Sequence, residues 1–491
     1  MTQAQTTASK FSPNHRFDPE ILRAYDIRGI VGQNLSEKDA YFVGRTFGTY
    51  VRRQSGNESS RKKVCLGFDG RTSSPKLADE VSRGLTDSGV DVERVGLGPT
   101  PMVYFAVKDT VADGGIMITG SHNPPAYNGF KMTLQKSPVF GDDIQELGRI
   151  AAEGDFESGQ GQLSDHDVIG SYVKRLVKDL SGQRSLKIAW DAGNGASGPV
   201  LRELIKHLPG EHILLYDEVD GLFPAHHPDP TIDENLADLR SVVVNQNCDF
   251  GVAFDGDGDR IGIVDEKGQI IRSDVLLALY AREILTEHPG STIIGDVKCS
   301  VALFNEIEKY GGKSVICATG HSILKNKLIE LKAPLAGELS GHIFFADKYY
   351  GFDDALYCAI RLMNLVQDDD ISISDLVADM PNMVNTPEIR FDVDESKKFS
   401  LVDGFVNYFQ EISQDKGDDW HVIDVDGIRL NTPQGWLLIR ASNTQNVISM
   451  RIEAMSASDM KDLLKMVETA LDKQDLDGKE ILAQINEDYS L

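Results

Sequence analysis

The chain has 491 residues, of which 41% are hydrophobic and 26% charged, and a formal net charge of −26. At roughly 100–200 residues per domain this length asks for three or four separate cores, and the apolar content supplies them without staples. The negative mean field excludes non-specific binding to nucleic acid or to an anionic membrane, so any anionic substrate must be met by a local cluster of Lys and Arg.

In chain order, the first segment, MTQAQTTASKFSPNHRF, lacks the apolar stretch of a signal peptide and reads as a loose tail. No apolar run approaches the ~18 residues of a membrane span, so the expected compartment is the cytoplasm. RAYDIRG (residues 23–29) follows, and then a unit that is written three times. An apolar strand ends in Asp, a short polar turn follows, and an amphipathic helix begins: VCLGFDGRTSSPKLADEVSRGL around Asp69, LKIAWDAGNGASGPVLRELIKHL around Asp191, and STIIGDVKCSVALFNEIEKY around Asp296. Each copy continues into a second strand and then a third apolar segment that runs into a polar loop. These loops are TGSHNPP, DGDGDR and GELSGH.

Alternating strands and helices predict βαβ units with mixed, largely parallel sheets, hence three similar α/β domains with their polar loops at the carboxyl ends of strands, where ligands gather. The Gly-, Ser- and acid-rich stretch from Glu153 to Gly170 and the segment from Asp265 to Ser273 read as linkers, as does DMPNMVNTPE (379–388). The last piece, with strands EIRFDV, WLLIRAS and VISMRIEA and two helices near its end, carries no fourth copy and reads as a separate α+β domain. The expected domains are 1–167, 168–270, 271–383 and 384–491. The five cysteines (Cys65, Cys248, Cys299, Cys317, Cys358) are widely spaced and odd in number, which points to buried reduced thiols.

DGDGDR is the strongest chemical signal. Asp255, Asp257 and Asp259 at alternate positions point the same way in extended chain, with Gly256 and Gly258 letting the backbone fold so that the oxygens converge. Three such anions repel unless a cation sits among them, and oxygen ligands select Mg²⁺ or Ca²⁺. A calcium-binding EF-hand loop is one competing reading, because Glu266 falls at its twelfth position. Arg260, however, stands where its sharp turn needs Gly, and both flanks read as strands. A solvated acidic turn is the other.

In TGSHNPP, Ser121 lies in a loop stiffened by Pro124 and Pro125; it reads either as an ordinary turn or as a phosphate-carrying serine. Arg28, Lys131 and His122 in the same unit supply the positive charge and proton traffic that the second reading needs. In GELSGH, Glu338 and Ser340 suit pairs of sugar hydroxyls and His342 is a general acid–base candidate, or a structural histidine. RASNT (440–444) offers Arg440 with Ser442, Asn443 and Thr444, either a polar hairpin or a phosphate grip.

Taken together and in this order, RAYDIRG, TGSHNPPAYNGFKM, HHPDP, DGDGDR, GDVKCS, ATGHS, GELSGH, YGFDDA and RASNT resemble the α-D-phosphohexomutase family, closest to its bacterial phosphomannomutase/phosphoglucomutase branch, from about Arg23 to Ala454. The resemblance implies three alike α/β domains and a fourth, TATA-binding-protein-like domain around one central cleft. It implies an intramolecular phosphotransferase that interconverts hexose 1-phosphate and hexose 6-phosphate of mannose or glucose. Ser121 would be the phosphoserine, and Asp255, Asp257 and Asp259 with a phosphate oxygen would bind Mg²⁺.

By the same resemblance Arg28, His122, Lys131 and Arg260 would stabilise the transferring group, with His342 a proton-transfer candidate. Tyr25, Lys298, Thr319, Gly320, His321, Glu338, Ser340, Arg440, Ser442, Asn443 and Thr444 would bind substrate. Glucose 1,6-bisphosphate, or its mannose analogue, would be intermediate and activator. The expected partner is a small phosphosugar, and the expected state a monomer, a dimer being compatible. Leu339 departs from the branch, which usually has Met there, whereas phosphoglucosamine mutases usually carry Gln. Phosphoglucosamine mutase is therefore the alternative within the class. A metal-dependent serine phosphatase, or a non-catalytic calcium- or sugar-binding protein, is the alternative outside it.

Overall fold

Strands rich in Val, Ile and Phe that are buried on both faces must lie inside a sheet covered by helices. The computed structural model, which describes residues 13–488 apart from 55–60, 368–370, 382, 387, 395, 415, 418 and 442–445, and side chains as far as residue 483, has four sheets whose central strands follow this rule. In the first, β1 (Ile27–Ile30), β2 (Lys63–Phe68), β3 (Asp91–Leu97), β4 (Gly114–Ile118), β5 (Tyr127–Leu134) and β6 (Leu163–Asp165) lie in the order β1-β5-β4-β2-β3-β6. The second contains β7 (Leu186–Asp191), β8 (Gly210–Leu215), β9 (Phe250–Phe254), β10 (Ile261–Asp265) and β11 (Ile270–Ile271), ordered β11-β10-β9-β7-β8. The third has β12 (Thr292–Asp296), β13 (Lys313–Cys317), β14 (Leu335–Gly337) and β15 (Ile343–Phe345), ordered β13-β12-β14-β15.

One four-stranded motif is common to all three. The strand that runs into the repeat's Asp (β2 just before Asp69, β7 and β12 ending on Asp191 and Asp296) is flanked by two parallel neighbours, and the third strand (β4, β9, β14) turns back into an antiparallel partner (β5, β10, β15). TGSHNPP, DGDGDR and GELSGH occupy the same turn, between the third strand and its antiparallel partner. The three repeats therefore deliver their polar loops from equivalent places. The core of the first domain packs Phe42, Phe47, Leu77, Val81 and Leu85 from two helices, Glu37–Gln54 and Ser74–Asp87, against Val64, Leu66, Ile116 and Ile118 of the sheet. Each such side chain contributes about 1.5–3 kcal/mol on burial.

The stretch from Glu153 to Gly170 is not a bare linker. Its residues Leu163–Asp165 form β6, paired with β3, and Arg45 and Arg53 hold Glu157 and Asp155. Composition alone hides this, because acidic and Gly-rich chain can be fixed by arginines from a distant helix.

The fourth sheet holds β16 (Val384–Asn385), β17 (Ile389–Asp392), β18 (His421–Ile423), β19 (Ile428–Thr432), β20 (Gly435–Ala441) and β21 (Val447–Ala454), in the order β16-β21-β20-β19-β18 with β17 also on β21. It is antiparallel and covered by helices Lys398–Gln414 and Ala457–Asp472. β16 lies inside the stretch whose prolines read as a linker.

The chain forms two compact units, residues 1–270 with 352–369, and residues 271–351 with 370–491. The first holds the first two sheets and the helix Ala355–Leu365, which Tyr172 and Tyr357 tie down through bonds to Asp354 (2.8 Å) and Asp179 (2.7 Å). The second holds the third and fourth sheets. Their junction is Trp436, fully buried, with the Arg429 guanidinium 3.9 Å from its ring centroid. Arg429 donates to the carbonyls of Val297 (2.8 Å) and Cys299 (2.6 Å), and Glu453 accepts from the Trp436 indole and the Ser300 hydroxyl, both at 2.7 Å. Among the described residues no helix is long and apolar enough to cross a membrane, and all five cysteines are buried and free.

Candidate active site

In the first unit, Ser121 sits just past the end of β4 with a left-handed backbone (φ +50°), a conformation that costs a non-glycine residue on the order of 1 kcal/mol or more. Its N–H donates to the Thr119 hydroxyl at 2.7 Å, and its own hydroxyl is only 2% exposed as a residue. That hydroxyl donates to Asp255 Oδ2 at 3.1 Å and lies 3.2 Å from His122 Nδ1. The serine loop of the first sheet and the carboxylate loop of the second thus meet in one hydrogen bond. Close approach is possible because residue 256 is glycine: a Cβ there would come within 2.6 Å of the Ser121 carbonyl oxygen.

Asp255, Asp257 and Asp259 are all buried, and each offers a carboxylate oxygen within 4.8 Å of the others. Asp255 Oδ1 accepts the backbone N–H groups of Asp259 (3.1 Å) and Arg260 (3.2 Å), which fixes the turn. Lys131, on β5, donates to Asp257 at 2.8 Å and to Asp259 at 2.5 Å. Asp257 also takes the Thr100 hydroxyl at 2.5 Å, while its Oδ1 is buried without a hydrogen-bond partner.

Burial and the charges of Asp257 and Asp259 push the Asp255 carboxyl well above the usual carboxylate range, whereas Lys131 outweighs burial and holds Asp257 well below it. A hard divalent cation bound by oxygen fits this donor set: it would take the open Asp257 oxygen and relieve the repulsion felt by Asp255. Burial, with the charges of Arg260, Arg28 and Lys131, holds the His122 imidazole well below its ordinary value, so it is neutral at pH 7 and able to accept a proton. Arg28, on β1, donates to Asn123 Oδ1 and to Asp26, each at 2.5 Å. Tyr25 is half-buried in the turn before it.

In the second unit the turn Glu338–His342 leads from β14 into β15. Glu338 accepts the Gly320 N–H at 2.8 Å through one oxygen and the Ser340 hydroxyl at 2.7 Å through the other. Asp296, which ends β12, takes the Leu339 N–H at 3.1 Å and the Thr319 hydroxyl at 2.9 Å. The rings of His321 and His342 stack 5.4 Å apart. Lys298 is half-buried, its carbonyl held by Arg451 at 2.7 Å. Arg440 lies next to the last residue of β20 and pairs with Asp426 at 2.9 Å, and Asp426 also accepts the Thr319 N–H at 3.2 Å. Ser442, Asn443 and Thr444 lie outside the described residues.

Four groups that hold these loops escape sequence reasoning: Asp69 and Arg71 under the serine loop, Asp296 under the sugar loop, and Asp426 beside Arg440. A signal was available for two of them, since Asp69 and Asp296 are the strand-ending aspartates of the repeat. Each caps its domain's third-strand loop: Asp69 accepts from Thr119 (2.8 Å) and Gly120 (3.1 Å), as Asp296 does from Leu339. Asp191, the third of the set, instead binds His226 of HHPDP at 3.0 Å.

The chain matches the phosphoglucomutase/phosphomannomutase alpha/beta/alpha domain I over residues 19–158, domain II over 170–268, domain III over 272–384 and the C-terminal domain over 388–470. This fold, with these four domains in order, is that of an intramolecular phosphotransferase. The chain is 41% identical over 454 residues to a phosphomannomutase/phosphoglucomutase of Pseudomonas putida, covering 92% of this chain and 95% of the relative. It is 40% identical over 437 residues to a phosphoglucomutase of Neisseria gonorrhoeae, covering 89% and 93%. A crystal structure of a phosphoglucomutase/phosphomannomutase family protein from Burkholderia thailandensis superposes with a TM-score of 0.86 at 40% identity, over 94% of this chain and 98% of that one. The chain belongs to the phosphoglucomutase/phosphomannomutase family.

Proposed function

We propose that this phosphohexomutase interconverts the 1- and 6-phosphates of mannose and glucose through a phosphorylated Ser121. The observation that carries the reading is the Ser121–Asp255 hydrogen bond, which places a buried, backbone-strained hydroxyl against a carboxylate triplet with Lys131 alongside. In the forward half-reaction the bond from phosphorus to Ser121 Oγ breaks, and a new one forms to the free hydroxyl of the hexose phosphate. That hydroxyl loses a proton, and Ser121 Oγ ends protonated. The resulting hexose 1,6-bisphosphate turns over and returns its other phosphoryl group to Ser121.

Asp255, Asp257 and Asp259 would hold Mg²⁺, which supplies charge neutralisation for the phosphoryl oxygens. Lys131, Arg28 and Arg260 add fixed positive charge beside Ser121, while neutral His122 holds or moves the proton at Oγ. Tyr25 contributes to binding in this unit. In the second unit, Glu338 and Ser340 would hold sugar hydroxyls, His342 would serve proton transfer, and Lys298, Thr319, Gly320 and His321 would line the sugar. Arg440, with Ser442, Asn443 and Thr444, would grip the phosphate that is not reacting. Leu339, apolar like the usual Met, favours mannose and glucose over glucosamine.

Two measurements test the reading together. Intact-mass analysis should show a fraction of the protein about 80 Da heavier, the mass of one phosphoryl group. Glucose 1-phosphate should become glucose 6-phosphate, faster with added glucose 1,6-bisphosphate. Sustained release of inorganic phosphate in its place would identify a phosphatase. Comparing kcat/KM for the 1-phosphates of mannose, glucose and glucosamine ranks the substrates.

A further inference from the structure

Arg71 is 1% exposed, lies outside the reacting groups, and spends all five of its guanidinium N–H bonds on one place. Nε donates to Asp69 Oδ2 at 3.0 Å. Nη1 donates to the carbonyls of Pro124 (2.6 Å) and Tyr127 (3.0 Å), and Nη2 to those of Ser121 (2.7 Å) and Asn123 (2.6 Å). Four carbonyls of one loop therefore converge on a single cation. Without it their negative ends would repel one another and any phosphoryl group carried by Ser121. Gly120 is shaped to the same guanidinium, since a Cβ there would lie 2.5 Å from Arg71 Cζ.

The arginine is itself fixed from both sides. Asp69 binds the Arg71 backbone N–H (3.0 Å) and the hydroxyls of Ser74 (2.6 Å) and Thr119 (2.8 Å), and so joins the arginine to the loop it gathers. From the second sheet's domain, the Phe223 ring lies 5.2 Å from the guanidinium, a cation–π contact across the boundary that the Ser121–Asp255 bond also crosses.

We propose that Arg71, with Asp69 as its counter-ion, is the positioning residue of the phosphoryl-transfer step: it holds Ser121 in the left-handed conformation that aims Oγ at the carboxylate loop, and it shields the transferring group from four carbonyl dipoles. This deepens the assignment of Ser121 and rests on it. Arg71 is buried and gives its guanidinium N–H groups to Asp69 and the loop carbonyls, so its loss should fall on turnover and spare binding. A misplacement of about 1 Å in a reacting group costs on the order of 100-fold in rate.

The test compares Arg71→Lys, Arg71→Ala, Asp69→Asn and Ser121→Ala. The readouts are far-UV circular dichroism, phosphoserine occupancy by intact mass, and kcat and KM for glucose 1-phosphate, with kcat expressed per phosphorylated molecule. For Arg71→Lys, kcat per phosphorylated molecule should fall about 100-fold with KM within about twofold. Millimolar guanidinium should restore part of the activity of Arg71→Ala, and urea should not. A merely structural arginine would lower the folded fraction and leave turnover per phosphorylated molecule at the wild-type value, and that result in folded Arg71→Lys overturns the proposal. So does a loss confined to KM. Should neither Arg71 variant fold, Asp69→Asn decides, with the same kcat-selective loss expected and wild-type kcat as the rejecting result. Ser121→Ala separates the two layers: if it stays active, the covalent route has failed, whereas inactive Ser121→Ala beside fully active Arg71→Lys rejects only the role of Arg71.

Discussion

In the first unit the candidate reactive groups are one another's partners: Ser121 donates to Asp255, and Lys131 to Asp257 and Asp259. In the second unit Glu338 likewise holds its fellow candidates Gly320 and Ser340, while Thr319 and the neighbouring Leu339 lean on Asp296, and Arg440 on Asp426, carboxylates outside the candidate set. On the proposed function the first arrangement is preorganised for charge that develops during reaction, its charged groups being already buried away from water. In the second, Asp426 holds the Arg440 cation in place, and on the proposed function that placement sets affinity. Damage to the first should therefore appear in kcat, and damage to the second in KM.

The sharpest way to break this contrast is Ser121→Ala, which should lower kcat by about 10⁴-fold or more while the fold survives, since the proposed route makes the Ser121 oxygen the bond-forming atom. Full activity of that variant would reject the covalent route. Next in size, chelation of divalent metal should lower turnover by roughly 100- to 1000-fold and be reversed by Mg²⁺. Apart from activity, Mg²⁺ at about 100 times its dissociation constant should stabilise the protein against unfolding by about 2.7 kcal/mol, and an unchanged Tm would argue that the triplet holds no cation.

In the second unit, Arg440→Ala should raise KM by about 10- to 100-fold with kcat within about threefold, and an unaltered KM would remove Arg440 from substrate binding. Asp426→Asn, which removes the charge that aims Arg440, should raise KM by only about three- to tenfold. A fall in KM would mean that Asp426 chiefly competes with the ligand.

The smallest effect concerns His226. Burial lowers its affinity for a proton, but the hydrogen bond and charge of Asp191 outweigh burial and raise the imidazole above its ordinary value. A raised folded value means that the pair's contribution to stability is complete below the unfolded value of about 6.5 and fades as pH rises through the folded value. The Tm advantage of the natural protein over His226→Gln should thus be greater near about pH 6 than near about pH 8. Equal differences at the two pH values would exclude the pair as a source of pH-dependent stability.

How much of this could be read from residues alone follows from what kind of information each feature carries. The threefold repeat was legible because a buried parallel strand, a terminal Asp and an amphipathic helix leave local marks. Ser121, Lys131 and the Asp255–Asp257–Asp259 triplet were visible as candidates because their residue types carry the chemistry themselves. Arg71 and Asp426 were not, because an arginine or an aspartate becomes a support only when folding brings it to carbonyls or cations on another element of the chain. Asp69 and Asp296 fall between, plain as the end of a strand yet silent about the loop they bind. In the last domain, β20 and β21 stood out as long apolar runs, whereas the helix Lys398–Gln414 and the two-residue strand β16 did not; β16 exists only because β21 offers it an edge.

The Trp436 junction bears on how such enzymes can be recombined. Arg429 takes up the carbonyls of Val297 and Cys299, on either side of Lys298, and Glu453 completes the cap at Ser300. A C-terminal domain transplanted from a relative would have to bring its own guanidinium-on-indole pair to this spot, or the graft would leave that stretch of main chain without donors. Chimeras cut between residues 384 and 388 should succeed or fail on that match more than on overall similarity.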